Sequence, residues 1–365
     1  MRIAFAIILL LLNPLLFAQS SYEILVSSRG TNSVKVWNED GVFLGDLISP
    51  GAGGLALTED ILFHPDGYLL VAGFGNQSIK KYHAISGAYL GDFSSGYTLQ
   101  QPSKMSIGPD SLIYVTQWGG SQKLVRFKLD GSFHDEFTQT AVNNGLGHFW
   151  KDSLFFIAAF ADGQNGFIEH FDDKGNSLGA YLGSAKMDGP TSMWMDDSNY
   201  LYVTDWTKGQ VLQFDSVKGF HGAYIENNLQ QPEGFAQLFN GNWIIGDWAL
   251  DKVQMFDQNG NYISEIATGH GLQDPNAVKI RASLGLGIST TKPKDFKAYQ
   301  ENLKLIIEAE VDFKFMLMNG LGQLQLYGSS AQATDLGNLK SGVYFIVPLE
   351  FENALALPIH LQAPR

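Results

Sequence analysis

Pro190-Thr-Ser-Met-Trp-Met-Asp-Asp-Ser-Asn-Tyr-Leu-Tyr-Val-Thr-Asp-Trp206, followed by Gln210-Val-Leu-Gln-Phe214 and Gly219, is the stretch that decides the fold. It reads as an apolar strand, a polar turn and a second apolar strand ending in an aromatic. A short loop, a third strand and a glycine turn follow. The alternation in Leu201-Tyr-Val-Thr204 gives a strand two packed faces. No stretch of the sequence keeps a 3.6-residue period, which excludes a helical solenoid.

The same unit recurs on both sides. Pro102 to Trp118 and Pro232 to Trp248 align with it without gaps, and weaker copies cover 58–87 and 144–175. The glycine of the third turn recurs at Gly41, Gly87, Gly131, Gly175, Gly219 and Gly260, at steps of 46, 44, 44, 44 and 41 residues. Such a period, with four strands per unit, marks the blades of a β-propeller. Glycine suits these turns because tight hairpins often need a positive φ. The first copy starts at Tyr22 and lacks an innermost strand, which Asp274-Pro-Asn-Ala-Val-Lys-Ile280 supplies. Blade one is therefore expected to be completed by both ends of the domain. Six glycine turns predict six blades.

Composition agrees with an all-β chain and narrows its partners. Forty glycines in 365 residues exceed the average of roughly 7%, and 13% aromatic with 17% charged residues argues against disorder. A net charge of −13 argues against a nucleic-acid partner, since phosphate binding favours a basic face. The absence of cysteine excludes disulfides, thiol catalysis, thiolate zinc sites and a cysteine-linked lipid anchor.

Residues 1–20 read as a signal peptide. Met1-Arg2 precedes an apolar run from Ile3 to Leu12, then Asn13-Pro14 and a small-residue exit at Ala18-Gln19-Ser20. Cleavage before Ser21 and cleavage after Ala18 both fit. The run is interrupted at Asn13-Pro14, short of the roughly 20 residues a spanning helix needs. No later segment is apolar enough to span, so no membrane span is expected after signal removal. The expected location is secreted or on the outer cell surface.

Residues 202–214, Tyr-Val-Thr-Asp-Trp-Thr-Lys-Gly-Gln-Val-Leu-Gln-Phe, together with Pro232-Glu-Gly-Phe235, resemble the NHL repeat. In that family an innermost Pro-x-Gly-apolar strand is followed by Tyr-Val-x-Asp, a short loop and Arg-x-x-x-Phe. The resemblance covers residues 22–281 and implies a six-bladed propeller. The family's loop Asn-x-Arg is kept in part at Asn32 and Asn76 and is missing from most copies.

The tail forms a second unit. Residues 284–297 have linker composition. Alternation resumes through Leu303, Leu305, Ile307, Val311, Phe313 and Phe315, and Asn319-Gly320 is a hairpin signal. With Gly322 and Leu339-Lys-Ser-Gly-Val-Tyr-Phe-Ile346, residues 298–365 resemble the C-terminal β-sandwich sorting domain of type IX secretion in Bacteroidetes. That resemblance implies the type IX secretion machinery as a partner. The Asn-Pro near the domain start and the basic last strand are absent, so a plain accessory β-domain stands beside it. The expected chain is a signal peptide (1–20), a propeller (21–283), a linker (284–297) and a small β-sandwich (298–365).

Four antiparallel strands per blade place two rings of positions on one face of a propeller. The outer ring, leaving the second strand, holds Arg29, Phe74, Trp118, Phe160, Trp206 and Trp248. If exposed, these rings would stack on a glycan, a peptide or a protein; alternatively they wedge between blades as core. The inner ring, one past the proline, holds Asn276, Glu59, Ser103, Gly145, Thr191 and Glu233. Glu59, Glu233 and Asn276 belong to neighbouring blades and are oxygen donors that suit Ca²⁺ or Mg²⁺. Six-bladed lactonases and lyases that resemble this chain use a metal there. In that version His148, on an innermost strand, is the base. Asp205 and Asp247 are expected to cap loop amides. No Gly-x-Ser-x-Gly, His-Glu-x-x-His, phosphate-loop or EF-hand pattern is present. The first reading is a non-catalytic binding propeller without a cofactor. Its alternatives are a metal-dependent lactonase- or lyase-like enzyme and a surface scaffold.

Overall fold

The structure, a computed structural model, describes residues 22–183, 185–196, 198–238 and 240–282. In the tail it describes 296–301, 304–309, 314–319, 324–336, 339, 342–348 and 357–361. The signal peptide, Gly322 and all but the last two residues of the 284–297 linker lie outside the described residues.

Among the described residues up to 282, six four-stranded antiparallel sheets form, each running outward from a central strand. Blade one consists of Tyr22–Ser28, Ser33–Asn38 and Phe43–Ile48, with Pro275–Ala282 added on the inner side. Val26 pairs with Val278 and Ile24 with Ile280. The other innermost strands are Thr58–Phe63, Pro102–Ile107, Gly145–Lys151, Pro190–Met195 and Pro232–Gln237. Neighbouring innermost strands touch in a closed cycle through all six blades. The fold is all-β, a six-bladed propeller followed by a small β-sandwich.

Burial explains why these sequences become blades. The second strands are buried over most of their length, Ile113–Gln117 and Leu201–Asp205 throughout, because both faces meet a neighbouring blade. The outermost strands carry exposed positions; Ser177–Leu182 is exposed over its first four residues. Leu62, Leu70 and Ile79 of blade two pack with Met105, Val115 and Val125 of blade three in one apolar cluster, and the other seams repeat this.

The recurring glycine serves that seam as well as its own turn. Gly87 has φ +67, and a Cβ there would fall 1.5 Å from the Leu47 carbonyl oxygen of blade one. At Gly260 the φ is +81, and a Cβ would fall 2.2 Å from the Tyr224 oxygen of blade five. Gly219 departs from the pattern. Lys218 takes the positive φ there, +68, and a Cβ on Gly219 would meet only its own hairpin's Asp215.

Every innermost strand opens with an irregular register. Thr58 pairs with Gly73 and Asp60 with Ala72, leaving Glu59 as an extra residue. Pro190 pairs with Asp205 and Ser192 with Thr204, leaving Thr191 extra. The same shift occurs at Pro102/Met105, Gly145/His148 and Pro232/Phe235, and on blade one opposite Val26/Ser28. Such bulges bend a strand and re-aim its side chains. Here they fall on the ring of residues that surrounds the channel mouth.

In the tail, Phe296–Glu301, Lys304–Ala309 and Thr334–Asp335 form one sheet. Leu324–Ser329, Lys314–Asn319, Gly342–Pro348 and Leu357–Leu361 form the other, in that order. Leu305, Ile307, Phe315, Leu317, Tyr344, Ile346 and Ile359 fill one shared core. Among the described residues, no helix is long and apolar enough to cross a membrane.

Candidate functional site

The six outer-ring residues converge on one bowl of about 480 Å³. Each leaves the end of a second strand, and in blades three, five and six an acidic or amide side chain there gathers the loop amides. Asp205 accepts from the amides of Asp188 (2.7 Å), Gly189 (3.1 Å) and Lys208 (3.0 Å). Asp247 accepts from Gln230 (2.6 Å) and Leu250 (3.1 Å), and Gln117 takes the amide of Gln100 (2.9 Å) in blade three. These caps fix where the next residue projects.

The side chains that follow form a closed circle. Ring centroids lie 6.5 Å apart for Phe74–Trp118, 5.2 Å for Trp118–Phe160, 6.0 Å for Phe160–Trp206 and 6.2 Å for Trp206–Trp248. Arg29 closes the circle, its guanidinium carbon 4.9 Å from both the Phe74 and the Trp248 centroids. All six are half-buried. They therefore do not wedge fully into the core. They touch their neighbours around the circle and keep part of their surface toward the bowl. Tilted and edge-on contacts of this kind contribute roughly 0.5–1.5 kcal/mol each, which stiffens the wall.

Beneath the circle lies the inner ring, and the structure corrects its membership. Gly145 pairs with Ala159, the register that Pro190 takes with Asp205, so it stands at the proline position itself. Leu146 is the inner-ring residue of blade four, and it lines the bowl with Glu59, Thr191 and Glu233. Ser103 and Thr191 bond across the seams instead, to the carbonyls of Gly145 (3.0 Å) and Pro232 (2.9 Å).

Glu59, Glu233 and Asn276, the oxygen donors of the alternative metal reading, face cations of the protein itself. Asn276 faces a second, smaller cavity of about 60 Å³, lined also by Asp60, Lys104, His148, Ser192 and Lys279. The Lys104 ammonium reaches Glu233 Oε1 at 2.8 Å and donates to Asn276 Oδ1 at 2.7 Å. Arg29 Nε donates to Glu59 Oε2 at 3.1 Å. The cations bound to this donor set belong to the protein. Burial works to discharge Lys104, but Glu233, Glu59 and Asp60 outweigh it and raise its pKa. Burial lifts Glu233 to about 6 against the pull of Lys104.

Lys104 was not singled out in the sequence, although it carried a signal. The positions two past the proline are Asp60, Lys104, Gly147, Ser192, Gly234 and Ala277, and all six line the lower cavity. Lys104 is the one long cation among them. Gly147 and Gly234 leave room for close strands: a Cβ would meet Thr191 O at 2.7 Å and Asn276 O at 2.5 Å.

His148 lines the lower cavity and is absent from the lining of the bowl. Its Nε2 lies 2.8 Å from Ser106 Oγ and its Nδ1 3.3 Å from the Leu146 carbonyl. Burial lowers its pKa to about 4, so it is neutral at pH 7. It sits as a hydrogen-bonded residue of the channel wall, apart from Glu59 and the aromatic circle.

No protein-family model and no curated protein matches the chain in sequence. Solved structures match its fold. The crystal structure of a nidogen/laminin complex contains a chain 13% identical, with a TM-score of 0.58 over 71% of this chain and 98% of that one. A protein of unknown function from Bacteroides caccae is 14% identical, with a TM-score of 0.57 over 72% and 99%. Virginiamycin B lyase from Staphylococcus aureus is 13% identical, with a TM-score of 0.51 over 71% and 88%. At these identities the likeness shows a shared propeller fold. It does not choose between binding and catalysis, which depends on the site.

Proposed function

We propose that this chain is a non-catalytic binding propeller that holds a ring-bearing ligand in the bowl above its channel. The observation that carries this reading is the continuous circle Arg29, Phe74, Trp118, Phe160, Trp206 and Trp248 around one cavity. Its volume of about 480 Å³ falls within the roughly 300–1,000 Å³ of small-ligand sites. Half-buried aromatic rings give a ligand large contact area at low entropic cost, since they are already held by their neighbours. The Lys104 ammonium between Glu233 and Asn276, and the placing of His148 on the lower cavity away from Glu59, favour binding over metal-assisted hydrolysis. All four residues of the alternative mechanism, Glu59, Glu233, Asn276 and His148, already have partners within the protein.

The reading includes an extracellular setting, supported by the signal-like residues 1–20 and the sorting-like pattern of Leu339 to Ile346. The test is a titration of the full-length protein with glycan and peptide panels, followed by tryptophan fluorescence. Three of the seven tryptophans stand in the circle, so a bound ligand changes the emission. A change that disappears in Trp118→Ala and Trp206→Ala supports the bowl. Binding that survives both substitutions puts the site elsewhere.

A further inference from the structure

The circle is six-membered but chemically lopsided. Blades six, one and two bring charged groups to the bowl: Glu233, Arg29 and Glu59. Blades three, four and five bring Trp118, Phe160 and Trp206, and the inner-ring residue Leu146 lies below them. The buried charges of the bowl lie on one side; the opposite side presents mainly rings, with Thr191, Thr207, Gln164 and the rim residue Asp162 beside them.

The charged side has capacity to spare. Arg29 uses Nε on Glu59, and among the described residues its terminal nitrogens take no partner. Glu59 is engaged through Oε2 and Glu233 through Oε1. The second oxygen of each carboxylate takes no partner among the described residues, and neither is a shielded orphan atom. Reading across blades six, one and two, the bowl offers an acceptor, a forked donor and an acceptor.

We propose that this sector reads the hydroxyls of a neutral sugar ring, whose C–H face lies on Trp118, Phe160 and Trp206. The inference rests on the bowl being the binding site. Hydroxyl groups both donate and accept, so neighbouring hydroxyls satisfy the carboxylates and the guanidinium together. Charge weighs against the alternatives. Arg29 offsets Glu59 and Lys104 offsets Glu233, so the floor is balanced before the ligand arrives. An acidic sugar would bring a carboxylate against two buried carboxylates and Asp162 of the rim. A cationic ligand would face Arg29, which already holds the place between Phe74 and Trp248. A neutral polyol meets neither penalty, and a site built to bond hydroxyls rejects analogues that lack them.

The test titrates the full-length protein with neutral hexose oligosaccharides, uronic-acid oligosaccharides, an aromatic-rich peptide and 2-naphthol, read by tryptophan fluorescence and calorimetry. The expected result is saturable binding of a neutral oligosaccharide. It weakens tenfold or more in Glu59→Gln and Glu233→Gln, while 2-naphthol binding changes less than twofold. Trp206→Ala weakens both ligands. Arg29→Lys keeps the charge but loses the fork, and it serves where a Gln variant does not fold; sugar binding falls tenfold there too. Uronic acids or the peptide binding in the bowl, with neutral sugars silent, overturns the sugar inference and leaves the bowl as the site. Unchanged sugar affinity in the Gln and Lys variants also overturns it. If no probe perturbs the circle, the underlying reading of the bowl fails with it.

Discussion

Lys104 crosses the channel from blade three to Glu233 of blade six and Asn276 of blade one. Its partners are buried, so its worth lies in what its removal would leave behind. Lys104→Met strands a buried carboxylate and should cost roughly 3–5 kcal/mol. The Lys104→Met/Glu233→Gln double variant should recover much of that loss in a denaturant melt, because the uncompensated charge is gone. Equal melts for the single and double variants would deny the pairing. Glu233 also gives stability a pH dependence. Its carboxyl holds a proton up to about 6 in the native chain, above its ordinary 4.5. The native state therefore gains below 4.5 and loses that gain as pH rises through 6. The loss is about 2 kcal/mol for such a shift. The unfolding free energy of the wild type relative to Glu233→Gln should fall by that amount between pH 4.5 and 7; a flat difference would contradict it.

At the scale of strands and turns, the repeat was legible because its marks are chemical. The prolines at 102, 190 and 232 and the tryptophans at 118, 206 and 248 fix both ends of two adjacent strands. From them the outer circle could be placed by counting. Blade four has neither mark, and there the count slipped by one, to Gly145 in place of Leu146. The opening bulges were not legible, because the innermost strands are buried on both faces and keep no alternation that an extra residue would interrupt. That bulge decides which side chains face the bowl and which the lower cavity. Asn276 and Glu233 hold equivalent bulge positions and share the Lys104 ammonium, although Asn276 lines the lower cavity and Glu233 the bowl. The glycine turns were found for their φ, but their contact with the preceding blade appeared only in three dimensions. Gly179, at φ +89, has nothing within 4 Å of an added Cβ. Gly179→Ala should cost only the left-handed penalty of roughly 1–2 kcal/mol. Gly87→Ala must also push away the Leu47 carbonyl and should melt well below Gly179→Ala. Equal melting temperatures would mean that the seam yields freely.

At the scale of the whole molecule, the ring is closed by Pro275–Ala282 pairing with Tyr22–Ser28. Val278 is buried in that seam, packed in one cluster with Ile24 and Val26 of blade one and Ile244 and Val253 of blade six. Val278→Asp puts an unpaired charge there. Because each blade is buried by its neighbours, opening this seam should lower hydrogen-exchange protection in all six blades. Loss confined to blade one would show that the blades are independent. The bowl itself belongs to this scale, since its wall takes one residue from each of the six blades. The most direct test of the central claim is calorimetric titration of the full-length wild type and Trp206→Ala with a glycan that binds the wild type. The expected result is a loss of tenfold or more in affinity with an unchanged melting profile. Unchanged affinity for that glycan in Trp206→Ala would place binding outside the aromatic circle and contradict the function proposed for it.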